Sequence, residues 1–242
     1  FSGIYRACGP TGDDNYPGDV VVTDLLAPVI AIDGPSASGK GAISRRVAAL
    51  LGFHLLDSGA LYRIAGLMAS REGLDLENGH EVAKLLSELD ISFESDGDTE
   101  TIIRVNGIDV TTDVRRESSG ELASRVAAQP EVRSALIGFQ RSFRKPPGLV
   151  ADGRDMGAVI FPDAQAKLFL TASPEERARR RHKQLKEKGI SVNLAALSAE
   201  IAERDYRDRT RSVSPLRPAP DAEELDTTPL NIEQVVSRVL AF

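Results

Sequence analysis

A single cysteine, Cys8, stands among 242 residues, so an internal disulfide framework is excluded. Histidine is almost as scarce: His54, His80 and His182 are scattered, without the short spacings of a metal site. No apolar run approaches the ~18 residues that suggest a membrane span. The first residues lack the basic segment running into an apolar one that marks a secretory leader. Positive charge is in deficit: 30 lysines and arginines face 36 acids, and the net charge of −6 speaks against nucleic acid or an anionic membrane as the main partner. The expectation is a cytoplasmic protein. Within the basic set, arginine far exceeds lysine, and its planar fork suits phosphate recognition. Most of these arginines read as solvated surface; those in clusters invite a functional reading.

The strongest local signal is "VIAIDGPSASGKGAISRRVAALLG", from Val29 to Gly52. Val29 to Ile32 predicts a buried strand, and Ile43, Val47, Leu50 and Leu51 recur at helical spacing. Between them lie Gly34, Pro35, Ser36, Ala37, Ser38, Gly39, Lys40, Gly41 and Ala42. Gly34, Gly39 and Lys40 fit G-x-x-x-x-G-K, a turn whose backbone N–H groups point inward at a helix N-terminus and hold phosphate oxygens. Lys40 then reaches the terminal phosphates. The hydroxyl that most such loops carry after the lysine is missing, because Gly41 stands there. That glycine resembles the nucleoside monophosphate kinases, in which magnesium is held largely through water and nucleotide. Ala42 departs from them, since their usual threonine there offers phosphate a hydroxyl.

From Pro28 onward strands and helices alternate. His54–Asp57, Leu149–Ala151 and Lys167–Ala172 read as strands with helices after them, and a last helix covers 232–240. The pattern predicts an α/β fold: a parallel sheet with helices on both faces. Residues 85–147 break the rhythm with three short strands, the last two joined at Asn106-Gly107, and two helices, the second opening at Pro130. They are expected to form a small inserted α+β substrate domain, with 28–84 and 148–242 as the core. Residues 1–27 read as an extension outside the fold, poorly ordered, in which Asp19–Leu26 could pair as an edge strand. Ser173-Pro174-Glu175-Glu176 reads as a capping box opening an arginine-rich helix that ends near Gly189, and Asn193 caps the next.

Phosphoryl transfer needs alignment, exclusion of water and neutralised charge more than covalent help. "VADGRDMG" places Asp152, Arg154 and Asp155 at a strand end, where open α/β sheets bind ligands. Asp152 could hold magnesium's water shell and Arg154 a phosphate. "LLDSGALYR" adds Ser58, an anion contact or a helix cap, and Arg63. In "ERDYRDRTR", Arg204, Asp208 and Arg211 share one helix face.

These motifs, with "ASRVAAQPEVR", occur in the order and spacing of the bacterial cytidylate kinases, and the resemblance covers 28–242. It implies a P-loop core, a CMP-binding insertion and an arginine-rich lid at about 177–192. It implies ATP and Mg2+ as cofactors, and CMP and dCMP as substrates. Ser58, Arg63, Ser124, Arg133, Arg154, Asp155, Arg204, Asp208 and Arg211 would surround CMP and its phosphate. Lys40, Arg154, Arg204 and Arg211 would steady the transferring phosphoryl, and Arg180 and Arg181 would cover ATP. A kinase for adenylate, uridylate or shikimate, a nucleotide-binding regulatory module without turnover, and a nucleic-acid-binding protein are the rival readings. The inserted segment argues against the first, the arginines around the acceptor against the second, and the acidic total against the third.

Overall fold

The computed structural model describes residues 3–6, 26–95, 101–187 and 189–242. β1 (Gly3–Arg6) precedes the central strand β2 (Val29–Asp33), which the phosphate-loop sequence joins to α1 (Lys40–Leu51). β3 (His54–Asp57) and α2 (Ser58–Arg71) follow, then α3 (Gly79–Glu88), β4 (Ile91–Ser95), β5 (Ile102–Val105) and β6 (Ile108–Asp109). A short α4 (Thr111–Val114), α5 (Glu117–Val126) and α6 (Pro130–Arg141) lead back to β7 (Leu149–Gly153). A π-helical turn at Met156–Ile160, β8 (Ala166–Thr171), α7 (Pro174–Glu187), α8 (Leu194–Thr210), β9 (Glu223–Asp226) and α9 (Ile232–Ala241) complete the chain.

Five strands form a parallel sheet in the order β3-β7-β2-β8-β9. Period-2 alternation buries both of its faces. Val29, Ala31, Leu149 and Ala151 turn toward α2 and the π-helical turn, while Ile32, Val150, Leu168 and Leu170 turn toward α1 and α9. On α1, Ile43 and Val47 join that second core, but Leu50 and Leu51, expected to join it, are exposed. They fall on the last turn, beyond the sheet's reach, just before Gly52 closes the helix in a left-handed conformation.

The inserted stretch builds a second, antiparallel sheet in the order β1-β4-β5-β6. Its hairpin turns at Asn106-Gly107, both with positive φ as a two-residue type I′ turn requires. Phe93 meets the edge of Phe143, which also meets Phe139 edge-on, so the sheet packs on the end of α6. The expected start at Leu85 falls inside α3. α5 lies directly on α2: a Cβ at Gly66 would come within 2.7 Å of the backbone carbon of Leu122. Only glycine allows two helices to approach so closely there.

Two further expectations change. The extension contributes to the fold, because Gly3–Arg6 adds an antiparallel edge strand to β4; backbone pairing needs no hydrophobic pattern to advertise it. The strand expected at Asp19–Leu26 lies outside the described residues up to Leu25. The capping box at α7 is half made: Ser173 Oγ accepts from the Glu176 N–H at 3.2 Å, but the Ser173 N–H donates to Thr228 Oγ1. The Glu176 carboxylate turns instead to Arg179 and Arg180, where two guanidinium charges outbid one amide.

Candidate active site

β2, β3 and β7 all end at one rim of the parallel sheet, and the candidate site residues gather there. The loop after β2 takes a path that glycine makes possible. Gly34 has φ +146°, and a Cβ on it would sit 2.1 Å from the carbonyl oxygen of Leu170. Ala37 and Gly39 also have positive φ. This turns successive amides toward the start of α1, the arrangement that binds anions. Lys40, the first helical residue, is buried, and its Nζ donates to the carbonyl of Pro35 at 2.9 Å.

The outside of the loop is tied to α7. Arg177 Nη1 donates to the Ser36 carbonyl at 3.1 Å, and Arg180 Nη1 donates to the Ser38 carbonyl at 3.0 Å. Carbonyls held outward leave their N–H neighbours free to face inward. Arg177 also forms a buried ion pair with Asp205 of α8 at 2.5 Å, and Arg180 donates to the Thr227 carbonyl at 2.6 Å. Arg181 points elsewhere and pairs with Glu117 at the start of α5. Arg177, Arg179, Arg180 and Arg181 each have an acidic partner.

Asp57 and Asp152 are register partners at the ends of β3 and β7. Asp57, not Ser58, caps α2, its Oδ1 accepting from the Ala60 N–H at 3.1 Å. Ser58 is instead buried as the first residue of α2. Burial pushes the Asp152 carboxyl up to about 6, opposed chiefly by the charge of Lys40 and assisted by that of Asp57. Burial likewise pulls the Lys40 ammonium down to about 7, helped by Arg154 and Arg204 and resisted by Asp152 and Asp33. Among the described residues no cluster of three or more histidines, cysteines or acids could hold a metal alone. Two carboxylates beside a phosphate loop do fit a magnesium ion that draws most of its ligands from nucleotide and water.

A second group surrounds the end of β7. Arg154 Nε donates to Asp208 Oδ2 of α8 at 3.1 Å. Burial alone would raise the Asp208 carboxyl, but Arg154, Arg204 and Arg211 outweigh it and hold it below its ordinary value. Arg63 and Arg204 converge on Gly120 of α5: a Cβ there would lie 3.0 Å from Arg204 Nη1 and 3.2 Å from Arg63 Nη2. Burial, followed by the charge of Arg154, lowers the Arg204 guanidinium to about 10. Arg204 Nε and Arg211 Nη2 are buried donors without a hydrogen-bond partner. Unpaired buried donors of this kind are costly, and an anion would satisfy them.

The third group joins the insertion to the core. Arg133 of α6 and Asp155 form a buried ion pair, and the Arg133 guanidinium lies 5.4 Å from the centre of the Tyr62 ring. Arg133 also donates to the Ala127 carbonyl at 3.2 Å. Ser124 on α5 is buried, and its Oγ has no partner.

Asp33, Asp57, Tyr62 and Arg177 belong to this region without having been singled out from the sequence. Asp57 ends a predicted strand and Asp33 directly follows one, just where ligands bind, and that position was the available signal.

The family model described as cytidylate kinase matches residues 30–242. A protein named cytidylate kinase from Burkholderia ambifaria is 54% identical over 215 residues, covering 89% of this chain and 92% of its own. One of the same name from Photobacterium profundum is 53% identical over 216 residues, covering 89% and 94%. A match this long, spanning both the phosphate loop and the arginines of α8, carries one conclusion: the chain belongs to the cytidylate kinase family.

Proposed function

We propose that this chain transfers the γ-phosphoryl group of ATP to CMP or dCMP, giving ADP with CDP or dCDP. The observation that carries the reading is the placement of two anion sites side by side. One is the phosphate loop with Lys40; the other is formed by buried guanidinium donors of Arg204 and Arg211 that have no protein partner. Lys40 feels the charges of both Arg154 and Arg204, so the two sites are near neighbours.

In the reaction an oxygen of the acceptor's phosphate forms a bond to the γ phosphorus. The bond from that phosphorus to the β–γ bridging oxygen breaks, and its electron pair leaves with ADP. Charge spreads over the three equatorial oxygens of the moving group. Lys40, Arg154, Arg204 and Arg211 surround that charge from fixed positions, the kind of preorganised stabilisation worth several kcal/mol. Residues 34–42 hold the donor phosphates through backbone amides; Arg180 braces that loop at the Ser38 carbonyl, and Arg181 would exchange Glu117 for ATP as the lid closes. Magnesium, when bound, would supply positive charge that offsets the charge of the phosphates. Asp152, with Asp57 beside it, would hold its water shell.

Ser58, Arg63, Asp208 and Arg211 line the acceptor's sugar and phosphate. Asp155, Ser124 and Arg133 read the base: the carboxylate accepts from cytosine's exocyclic amine, while Ser124 and Arg133 donate to the ring nitrogen and carbonyl. The unpartnered hydroxyl of Ser124 supports this assignment. Residues 85–147 act as the CMP-binding unit, 177–192 as the lid, and 28–84 with 148–242 as the core. The chain is read as a monomer. The acidic total and the lone cysteine support a cytoplasmic enzyme with no nucleic-acid partner.

The test is a coupled assay of ADP formation with CMP, dCMP, UMP, AMP and shikimate side by side. CMP and dCMP should exceed every other acceptor at least tenfold in kcat/KM. A better rate with AMP or shikimate, or ATP binding with no turnover on any acceptor, overturns the reading.

A further inference from the structure

Asp33 ends the central strand with a carboxylate only 4% exposed. A carboxylate withdrawn from water needs strong partners. Its Oδ1 accepts from the Met156 N–H and its Oδ2 from the Gly157 N–H, each at 2.9 Å. Those amides belong to the first two residues of the π-helical turn, immediately after Asp155. One side chain of β2 thus takes hold, with both oxygens, of the backbone that carries Asp155.

The surroundings leave that turn few other anchors at its start. Asp155 has φ −147° and ψ 23°, neither helical nor extended, so no regular ladder positions it. The Asp155 carbonyl accepts from the Val159 N–H at 2.9 Å, a bond within the turn itself. Met156 is fully buried and lies against Gly153, where a Cβ would come within 2.7 Å of its side chain. This contact sets the depth of the turn, while the Asp33 carboxylate fixes its direction. From there the Asp155 side chain meets Arg133 of the insertion. Apart from the support its charge lends the Lys40 ammonium, phosphoryl transfer gives Asp33 no task.

We propose that Asp33 is a positioning residue for base selection: by clamping the Met156 and Gly157 amides to the end of β2 it holds Asp155, and through it Arg133, where the base is read. This rests on the assignment of Asp155 as the base-reading carboxylate.

Asp33→Asn keeps the shape but offers one acceptor and sets an NH2 against the second amide. The expected result is a fall of at least tenfold in kcat/KM for CMP, mostly as a higher KM. UMP should change less than threefold, so the CMP preference collapses. Binding of a fluorescent ATP analogue should stay within threefold. In an Asp155→Ala background, Asp33→Asn should add less than twofold, because its effect passes through Asp155. An Asp33→Asn enzyme that keeps its CMP-to-UMP preference overturns the proposal. If Asp155→Ala collapses the preference while Asp33→Asn does not, the clamp alone is wrong. If Asp155→Ala leaves the preference intact, the base-reading assignment falls. Should Asp33→Asn not fold, hydrogen exchange on the unaltered protein decides. The Met156 and Gly157 amides should exchange as slowly as those of β7, and exchange at exposed-loop rates would overturn the proposal.

Discussion

The Oδ2 atom of Asp152 lies 3.3 Å from the point that a Cβ on Gly41 would occupy. The space given in most phosphate loops to a hydroxyl side chain is here left to a carboxylate from a neighbouring strand. Gly41→Ala should push that carboxylate by a few tenths of an ångström. The Mg2+ concentration for half-maximal rate should rise at least threefold, with kcat falling about three- to tenfold, since small misplacements at a reacting centre are costly. Titration of activity with Mg2+ checks this; an unchanged Mg2+ requirement removes Asp152 from the metal's surroundings.

Lys40→Met should leave the fold intact and lower kcat far more than ATP binding. The lysine's charge matters most as negative charge shifts during transfer, a loss of about 3 kcal/mol or more. A variant keeping more than a tenth of normal kcat would refute the role.

Lys40 also predicts a proton linkage. With its ammonium pulled down to about 7, much of the free protein carries a neutral lysine at pH 8. A bound triphosphate favours the charged form and raises that pKa, so ATP binding takes up protons above pH 7. Calorimetry at pH 8 in buffers of different ionisation enthalpy should show this uptake, and Lys40→Met should remove it. ATP binding without proton uptake at pH 8 in the unaltered protein would contradict the shift.

Ala42 is partly exposed on the first turn of α1. Ala42→Thr should tighten ATP by about 0.5 to 1.5 kcal/mol, the net worth of one added hydrogen bond, with CMP little affected. Unchanged ATP affinity would mean either that the hydroxyl does not face phosphate or that Ser36 or Ser38 already compensates.

The lid expectation narrows once the structure is considered. Arg177 and Arg180 are held by loop carbonyls, by Asp205 and by Thr227, so the base of α7 should be well protected with or without nucleotide. The stretch from Arg181 to Val192 should gain protection from hydrogen exchange when ATP and CMP bind together. Equal exchange there in both states would count against a closing lid.

Much of this was legible in the sequence. β-Branched runs announced the central strands, and the phosphate loop stood out because its path demands glycine at Gly34 and Gly39. β9 was missed: Glu223–Asp226 is an edge strand that buries only Leu225, so no alternation marks it. Asp33 and Asp57 were passed over because an acid at a strand end looks the same whether it caps a helix, clamps a turn or faces a ligand. Arg177 and Arg180 show the same ambiguity from the other side. A guanidinium on a helix carries no sign of whether it will meet phosphate or a carbonyl, and only the packing of α7 on the loop decides.

The contact at Gly66 has a mechanical consequence. At Gly66 no side chain of α2 separates its backbone from that of α5, so the two helices lock at that point and resist sliding, and the pair acts as a single part. Arg63 on one helix and Ser124 on the other therefore travel together, their spacing set when the chain folds rather than when a nucleotide arrives. The swing that wraps the site must be taken up elsewhere, at the arm formed by α7 and α8, whose only ion pair to this frame is the exposed one between Arg181 and Glu117 among the described residues.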